Sequence, residues 1–293
     1  MLKTERPASI RAFARSEHRL ALLESRFGAD RIRICHGDVA DDKRLDEVMD
    51  GVNIVVHAAA MKRVQGAFDA AEMQRINAGG SINVMRTAIA HRVERVMGIS
   101  SDKASGAETL YGATKLSMEQ HFLSPHGLSR TAFGICRYGN IAGSAGSVVP
   151  LWREQAKTGR LTITDPRCTR FWFQLPEAVR WIKRRIELLE PRRLYVPVLP
   201  SIRIVDLAEA IAPGVALDVV GMRTHEKLHE QMISFDESRS ARRMSDQETL
   251  DHYILGGAPT GQPEFSYSSD RNDSWLTVEQ IRGLLPATES IAS

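Results

Sequence analysis

The feature that most constrains this chain is an alternation running from Ala8 to Val198, in which short apolar runs repeatedly give way to longer stretches of helical periodicity. Such alternation marks βαβ units, and so predicts an α/β fold with a doubly wound, mainly parallel sheet. Strands are expected at Ala8–Ala14, Ile32–Gly37, Asn53–Ala58, Val93–Ser100, Thr131–Tyr138 and Leu194–Val198. The helix predicted over Pro176–Leu189 is typical of those between them. Ala178, Val179, Ile182, Ile186 and Leu189 share one face, while Arg180, Lys183 and Arg184 form a solvated face rather than a binding patch.

After Pro200 the texture changes. A helix is predicted at Val205–Ile211, a strand at Ala216–Met222, a helix from Glu226, and a last helix at Thr277–Leu285 stopped by Pro286. The expected organisation is a first domain over residues 1–200 and a smaller α/β lobe over 201–293, to which residues 151–175 also contribute. At 293 residues the chain is long enough for both.

Composition removes several function classes. Lys and Arg total 39 against 36 Asp and Glu, a net charge of +3 that gives no reason to expect nucleic acid or an acidic membrane as partner. Cys35, Cys136 and Cys168 are odd in number and widely spaced, which argues against a disulfide framework or a zinc site and fits a reducing cytoplasm. No run approaches the roughly 18 apolar residues of a membrane span, and no signal peptide opens the chain.

A doubly wound dinucleotide fold needs a first strand running into a glycine-rich turn, where backbone meets pyrophosphate at a helix N-terminus. Met1–Pro7 instead reads as the frayed end of a helix leading into a second strand. The expectation is that one strand, one turn and most of a helix precede this start, and that the coding start has been placed too far downstream. Finding no in-frame glycine-rich turn upstream of Met1 counts against that. Without the strand, two inner strands have open edges; at about 1 kcal/mol per lost hydrogen bond, this erodes a typical ~5–15 kcal/mol of stability.

The strongest chemical signal is Ile99-Ser100-Ser101-Asp102-Lys103 at the end of a strand, followed by Tyr111-Gly-Ala-Thr-Lys115 opening a helix. Spacing of four puts the phenol and the ammonium on one helical face, where the cation lowers a phenol pKa from about 10 toward a value useful in proton transfer. Taken alone, Tyr-x-x-x-Lys describes equally well an amphipathic helix with a half-buried tyrosine and a solvated lysine. Asp102-Lys103 alone could likewise be a surface turn with a capping aspartate.

In combination these residues resemble the extended short-chain dehydrogenases, and within them the inverting UDP-N-acetylglucosamine 4,6-dehydratases of the polysaccharide biosynthesis protein family. The resemblance implies a Rossmann first domain that binds NADP. It also implies a UDP-sugar substrate and catalysis by Asp102, Lys103 and Tyr111: Tyr111 assists oxidation at C4, Lys103 removes the C5 proton, and Asp102 protonates the departing O6. Hydride then returns to C6, and reprotonation of C5 from the opposite face would invert it.

Further segments carry the same likeness from about Ser9 to Leu285. Arg15 and Ser16 follow the second strand, where a basic residue would favour the 2′-phosphate of NADP; Asp38 and Val39 would flank adenine. Ala58, Ala59 and Ala60 would let backbone lie against cofactor, although such a run is also a tight strand–helix junction. Lys62 falls within reach of ribose or substrate, and Asn77, Ser100, Ser101, Tyr111 and Lys115 complete the implied cofactor set.

The implied substrate residues are Lys62, Lys103, Asn140, Ser147, Val148, Arg170, Arg223 and Glu226. Asn140 lies in Arg137-Tyr-Gly-Asn-Ile141, and Ser147 and Val148 in Gly143-Ser-Ala-Gly-Ser-Val-Val-Pro150. Arg170 belongs to Thr164–Trp172, where Cys168 replaces the family's Met as a small buried residue, not a nucleophile. Arg223 and Glu226 lie in Gly221–Glu230, where Thr224 and His225 replace the family's Pro-Gly. His225 and His229 are four apart, but no third ligand converges and no metal site is expected. Two other readings remain open: a UDP-hexosamine epimerase on the same scaffold, and a truncated pseudoenzyme that binds a UDP-sugar without turnover. Homo-oligomers are expected by family analogy.

Overall fold

The computed structural model describes residues 9–62, 66–124, 129–143, 148–224 and 226–285. In chain order the elements begin β1 (Ile10–Ala14), α1 (Glu17–Phe27), β2 (Ile32–His36), α2 (Asp42–Met49), β3 (Ile54–His57), α3 (Ala67–Met73), a π-helical turn (Gln74–Gly79) and α4 (Gly80–Ala90). They continue with β4 (Arg95–Ser101), a 3₁₀ turn (Asp102–Ala104), α5 (Leu110–Leu123), β5 (Ala132–Tyr138), β6 (Ile141–Ala142), α6 (Val148–Ala156), β7 (Arg160–Ile163), β8 (Thr169–Phe171) and β9 (Phe173–Gln174). The remainder are α7 (Leu175–Glu187), β10 (Arg193–Pro197), β11 (Ser201–Arg203), α8 (Ile204–Ile211), β12 (Ala216–Val219), β13 (Gln231–Ile233), α9 (Phe235–Ser238), β14 (Arg242–Met244), β15 (His252–Leu255), β16 (Tyr267–Ser268) and α10 (Val278–Leu284). The fold is α/β, and the six predicted strands of the first domain all form, with ends within two residues of expectation. The expectations at Met1–Ala8, Ser147, His225 and Pro286 lie outside the described residues.

The chain divides into two compact units: Met1–Ser100 with Leu110–Cys136 and Ile182–Tyr195, and Ser101–Thr109 with Arg137–Trp181 and Val196–Ser293. In this division the chain changes unit between Ser100 and Ser101, directly before Asp102.

In the first unit β1 pairs in parallel with β2, Ile10 opposite Ile32, as a separate two-stranded sheet. The strands β3, β4, β5 and β10 lie side by side in that order, with β3–β4 and β5–β10 parallel. Phe122 of α5 meets Phe133 of β5 edge-on at 5.3 Å between ring centroids. A Cβ on Gly98 of β4 would fall 2.7 Å from Ile135 and 3.0 Å from the Phe122 ring, so only glycine lets α5 settle this close to the sheet.

The second unit has its own core, in which Trp152, Leu161, Trp172, Ile202, Leu207 and Ile281 are nearly inaccessible to solvent. The predicted last helix forms as α10, with Thr277 as its N-cap, the Thr277 hydroxyl accepting from Gln280 N–H while the Gln280 side chain accepts from Thr277 N–H. No helix starts at Glu226. There Leu228 C=O accepts from Thr169 N–H and Glu230 C=O from Ser269 N–H, so these tertiary partners take the carbonyls a helix would need, and the chain enters β13 instead.

Candidate active site

In the first unit a cavity of about 590 Å³ is lined by Arg15, Ser16, Asp38, Val39, Ala58, Ala59 and Ala60, which brings together seven of the thirteen residues expected at the cofactor. That volume suits a small-molecule ligand. Both β1 and β3 contribute to the lining, and Ile54 and Val56 of β3 are 40% and 43% exposed. Ser16 is the N-cap of α1, its hydroxyl accepting from Arg19 N–H.

Asp38 is already engaged. Its carboxylate accepts from Ala40 N–H and from Arg75 at 2.8 Å, and Arg15 stands 3.9 Å away. Partial burial works against the charge, but these donors outweigh it and hold the carboxyl below its usual value. Arg15 keeps about half of its side chain in solvent. A half-exposed cation, a hydroxyl and small alanines fit the adenosine end of a nicotinamide dinucleotide.

Asn77 lies apart from that cavity and works within the protein. Its amide accepts from Met61 N–H and donates to Met61 C=O and to the Thr114 hydroxyl, tying the loop after β3 to α5. Lys62 is exposed at the end of the same loop. Thr114 in turn donates to Tyr111 C=O, and Tyr111 itself is half-buried in the first turn of α5. One helical turn further on, the buried Lys115 ammonium donates to Ile99 C=O at 2.8 Å. Burial lowers its pKa to about 8, the positive charge of Lys62 adding to the effect against Glu119. Ser100 is buried, and its hydroxyl has no hydrogen-bond partner among the described residues.

In the second unit the 3₁₀ turn after β4 holds Asp102 at 1% exposure. Asp102 Oδ1 accepts from the Ser101 hydroxyl at 2.7 Å and from Lys103 Nζ at 3.2 Å. Burial opposes ionisation of Asp102, but the Lys103 ammonium and the Ser101 hydroxyl prevail and keep its pKa below the ordinary value. Lys103 moves the other way from Lys115. Burial disfavours its ammonium, yet Asp102 and Glu230, the latter 3.6 Å from Nζ, hold its pKa above that of a free lysine.

Arg170 of β8 completes this cluster, with Nε 3.6 Å from Glu230 and a terminal nitrogen 3.7 Å from Glu226. The Glu226 carboxylate also accepts from the Thr164 hydroxyl and from Arg223 N–H. The fold therefore gathers Asp102, Lys103, Arg170 and Glu226. It leaves Arg223 and Asn140 exposed, and Val148 packs against the core of its unit. Cys168 is buried, as are Cys35 and Cys136, and His229 Nδ1 is hydrogen-bonded to the Thr169 hydroxyl.

Glu230 enters the cluster without having been singled out beyond its place in the Gly221–Glu230 segment. A glutamate beside a short strand looks like a solvated acid in sequence, and only the tertiary pairing of β13 makes it 6% exposed. Its nearness to Glu226, four residues back in a motif that also holds Arg223, was the available signal.

Comparison with known proteins fits this arrangement. The polysaccharide biosynthesis protein profile matches residues 1–251. The chain is 35% identical to UDP-N-acetylglucosamine 4,6-dehydratase (inverting) of Campylobacter jejuni, over 99% of this chain and 92% of that protein. It is 32% identical to UDP-glucose 4-epimerase of Rickettsia canadensis, over 94% and 86%. Among solved structures, Pen from Bacillus thuringiensis superposes with a TM-score of 0.85 at 30% identity, covering 95% of this chain and 89% of that one. DesIV, a dTDP-glucose 4,6-dehydratase from Streptomyces venezuelae, shares the fold at a TM-score of 0.65 and 20% identity, covering 76% and 78%. A profile over residues 1–251 and a relative 35% identical across nearly the whole of both chains show the family: the chain belongs to the polysaccharide biosynthesis protein family.

Proposed function

We propose that this chain is a dehydratase that converts UDP-N-acetylglucosamine to a UDP-4-keto-6-deoxyhexosamine. The observation that carries the reading is the contact of Lys103 with the buried Asp102 at the strand end, 3.2 Å from Nζ to Oδ1. An epimerase needs only hydride removal and return, whereas elimination of water across C5 and C6 also needs a base and an acid. A lysine beside a desolvated carboxyl supplies both.

When bound, a nicotinamide dinucleotide, NADP on this reading, supplies hydride transfer at C4 and C6. Arg15, Ser16, Asp38, Val39 and Ala58–Ala60 would hold its adenosine end, while Lys62, Asn77, Ser100, Ser101 and Lys115 support the rest of its site. Tyr111 takes the C4 hydroxyl proton, and the positive charge of Lys115, four residues on, favours the phenolate. Lys103 first passes its proton to Asp102; the neutral amine then takes the C5 proton, made acidic by the C4 ketone, and Asp102 protonates O6 as it leaves as water. Lys103 and Asp102 thereby return to their starting states; once hydride has returned to C6, C5 takes up a proton from water, and Tyr111 releases to water the one it took from the C4 hydroxyl. Asn140, Ser147, Val148, Arg170, Arg223 and Glu226 form the substrate set, with the Arg223 guanidinium suited to a diphosphate.

Inversion at C5, a cytoplasmic setting, homo-oligomers and use of the product for surface polysaccharide or flagellin glycosylation belong to the same proposal. Proton NMR of the chain incubated with NADP and UDP-N-acetylglucosamine tests it: a 6-methyl signal is expected. The 32% identity to an epimerase supports the second reading, and a C4-epimerised product with its 6-hydroxymethyl group intact would establish that one instead. Binding of the nucleotide sugar without turnover would leave the pseudoenzyme.

A further inference from the structure

Asp102 is unevenly served. Its Oδ1 accepts two hydrogen bonds, whereas Oδ2, equally buried, receives none from any N–H or from Ser, Thr or Tyr hydroxyls among the described residues. A carboxylate oxygen in a dry site with no donor is costly. The neighbour within hydrogen-bonding reach is the Glu230 side chain. Two carboxylates repel, so the contact becomes a bond only when one of them carries a proton.

Glu230 is the one suited to carry it. The charged groups that face it are Asp102 and Lys103 from the 3₁₀ turn and Arg170 from β8. Its own N–H donates to the neutral Ser269 hydroxyl. The two cations stand 3.6 Å from Oε1, beyond hydrogen-bond length, whereas Lys103 lies at 3.2 Å from Asp102. The tighter cation pairing leaves Asp102 the anion and Glu230 the acid. Burial, followed by the Asp102 charge, accordingly raises the Glu230 pKa to about 7.

Building on the dehydratase reading, we propose that protonated Glu230 is a positioning residue for the Asp102–Lys103 pair: its carboxyl donates to Asp102 Oδ2 and, being uncharged, leaves Asp102 as the one carboxylate facing the ammonium. With a single opposing charge, the proton between Lys103 and Asp102 is free to move, as the base and acid steps require. Ionised Glu230 instead puts a second carboxylate on Lys103, which locks its ammonium and strands Oδ2.

Glutamine copies protonated glutamic acid, with a donor, no charge and the same shape. Glu230→Gln is therefore expected to keep kcat within a few-fold of wild type below neutrality, and to lack the fall in kcat expected of wild type as pH rises through about 7. Glu230→Ala, which removes the donor, should lower kcat on the order of 100-fold with KM little changed. An unchanged alkaline limb in Glu230→Gln, or a Gln variant as poor as the Ala variant, would overturn the proposal. Infrared difference spectroscopy of the ligand-free protein reads the proton without turnover. A buried carboxylic-acid band present at about pH 6 and gone by about pH 8.5 is expected in wild type and absent from Glu230→Gln. Its persistence in that variant counts against the proposal. A wild type that shows the band but makes no 6-deoxy product would refute the dehydratase reading alone.

Discussion

Two lysines, Lys115 buried and Lys103 part-buried, have been given opposite characters by their surroundings. Lys115 on α5 is met by the Ile99 carbonyl, and burial brings its pKa down to about 8. Lys103 in the 3₁₀ turn is partly desolvated, but Asp102, and after it Glu230, more than offset the desolvation and raise its pKa. The contrast shows that burial sets the direction of a shift only until a countercharge comes within a few ångströms. On the proposed function it also separates two tasks: a cation of lowered pKa beside Tyr111 for phenol ionisation, and one paired with Asp102 for proton relay.

The contrast breaks most visibly at Lys103. Lys103→Met should lower turnover by about 10²–10⁴-fold, the range for a lost general base. It should also cost about 1–3 kcal/mol of stability, because two buried carboxyls lose their shared cation; a fully buried pair would lose more, but 36% of this side chain meets water. Single-turnover kinetics and urea unfolding check the two parts. A Lys103→Met protein as stable as wild type would dissolve the distinction.

At Lys115 the sign reverses. Between about pH 8 and 10.5 the unfolded chain keeps a proton there that the folded chain has lost, so raising the pH through that window favours folding. Unfolding free energy is expected to gain on the order of 1–3 kcal/mol across it relative to Lys115→Met, in which that gain should vanish. Equal pH slopes in the two proteins would count against a depressed lysine.

Smaller effects sharpen the picture. Asn77→Ala strips the clamp between the Met61 loop and α5, and should cost about 1–3 kcal/mol in thermal or urea unfolding. Ser16→Ala removes an N-cap and should cost about 1 kcal/mol; a larger loss in NADP affinity than in stability would show that its hydroxyl also serves the cofactor.

Much of the fold was legible because apolar periodicity is a local property: the alternation from β1 to β10 needs no tertiary partner to be seen. The same holds for Thr277, whose capping box with Gln280 is written within four residues. What failed was non-local. The stretch after Glu226 has helical composition, but Thr169 and Ser269, distant in sequence, claim its carbonyls.

At the site, Asp102-Lys103 and Tyr111-x-x-x-Lys115 are legible because each pair is contiguous or one helical turn apart. Glu230 was not, since 127 residues separate it from Lys103 and its burial comes from the pairing of β13 with β16. Nor does a sequence pattern reveal that Asn77 spends its amide on Met61 and Thr114, or that Asp38 already faces Arg75.

The central claim is that Lys103 takes a proton from C5 of a UDP-hexosamine, and deuterium incorporation at that carbon reads it directly. In D₂O with NADP and UDP-N-acetylglucosamine, wild type should give a 6-methyl product labelled at C5, and Lys103→Ala should give neither label nor methyl signal. Deuterium appearing at C5 with Lys103→Ala at the wild-type rate would contradict the account.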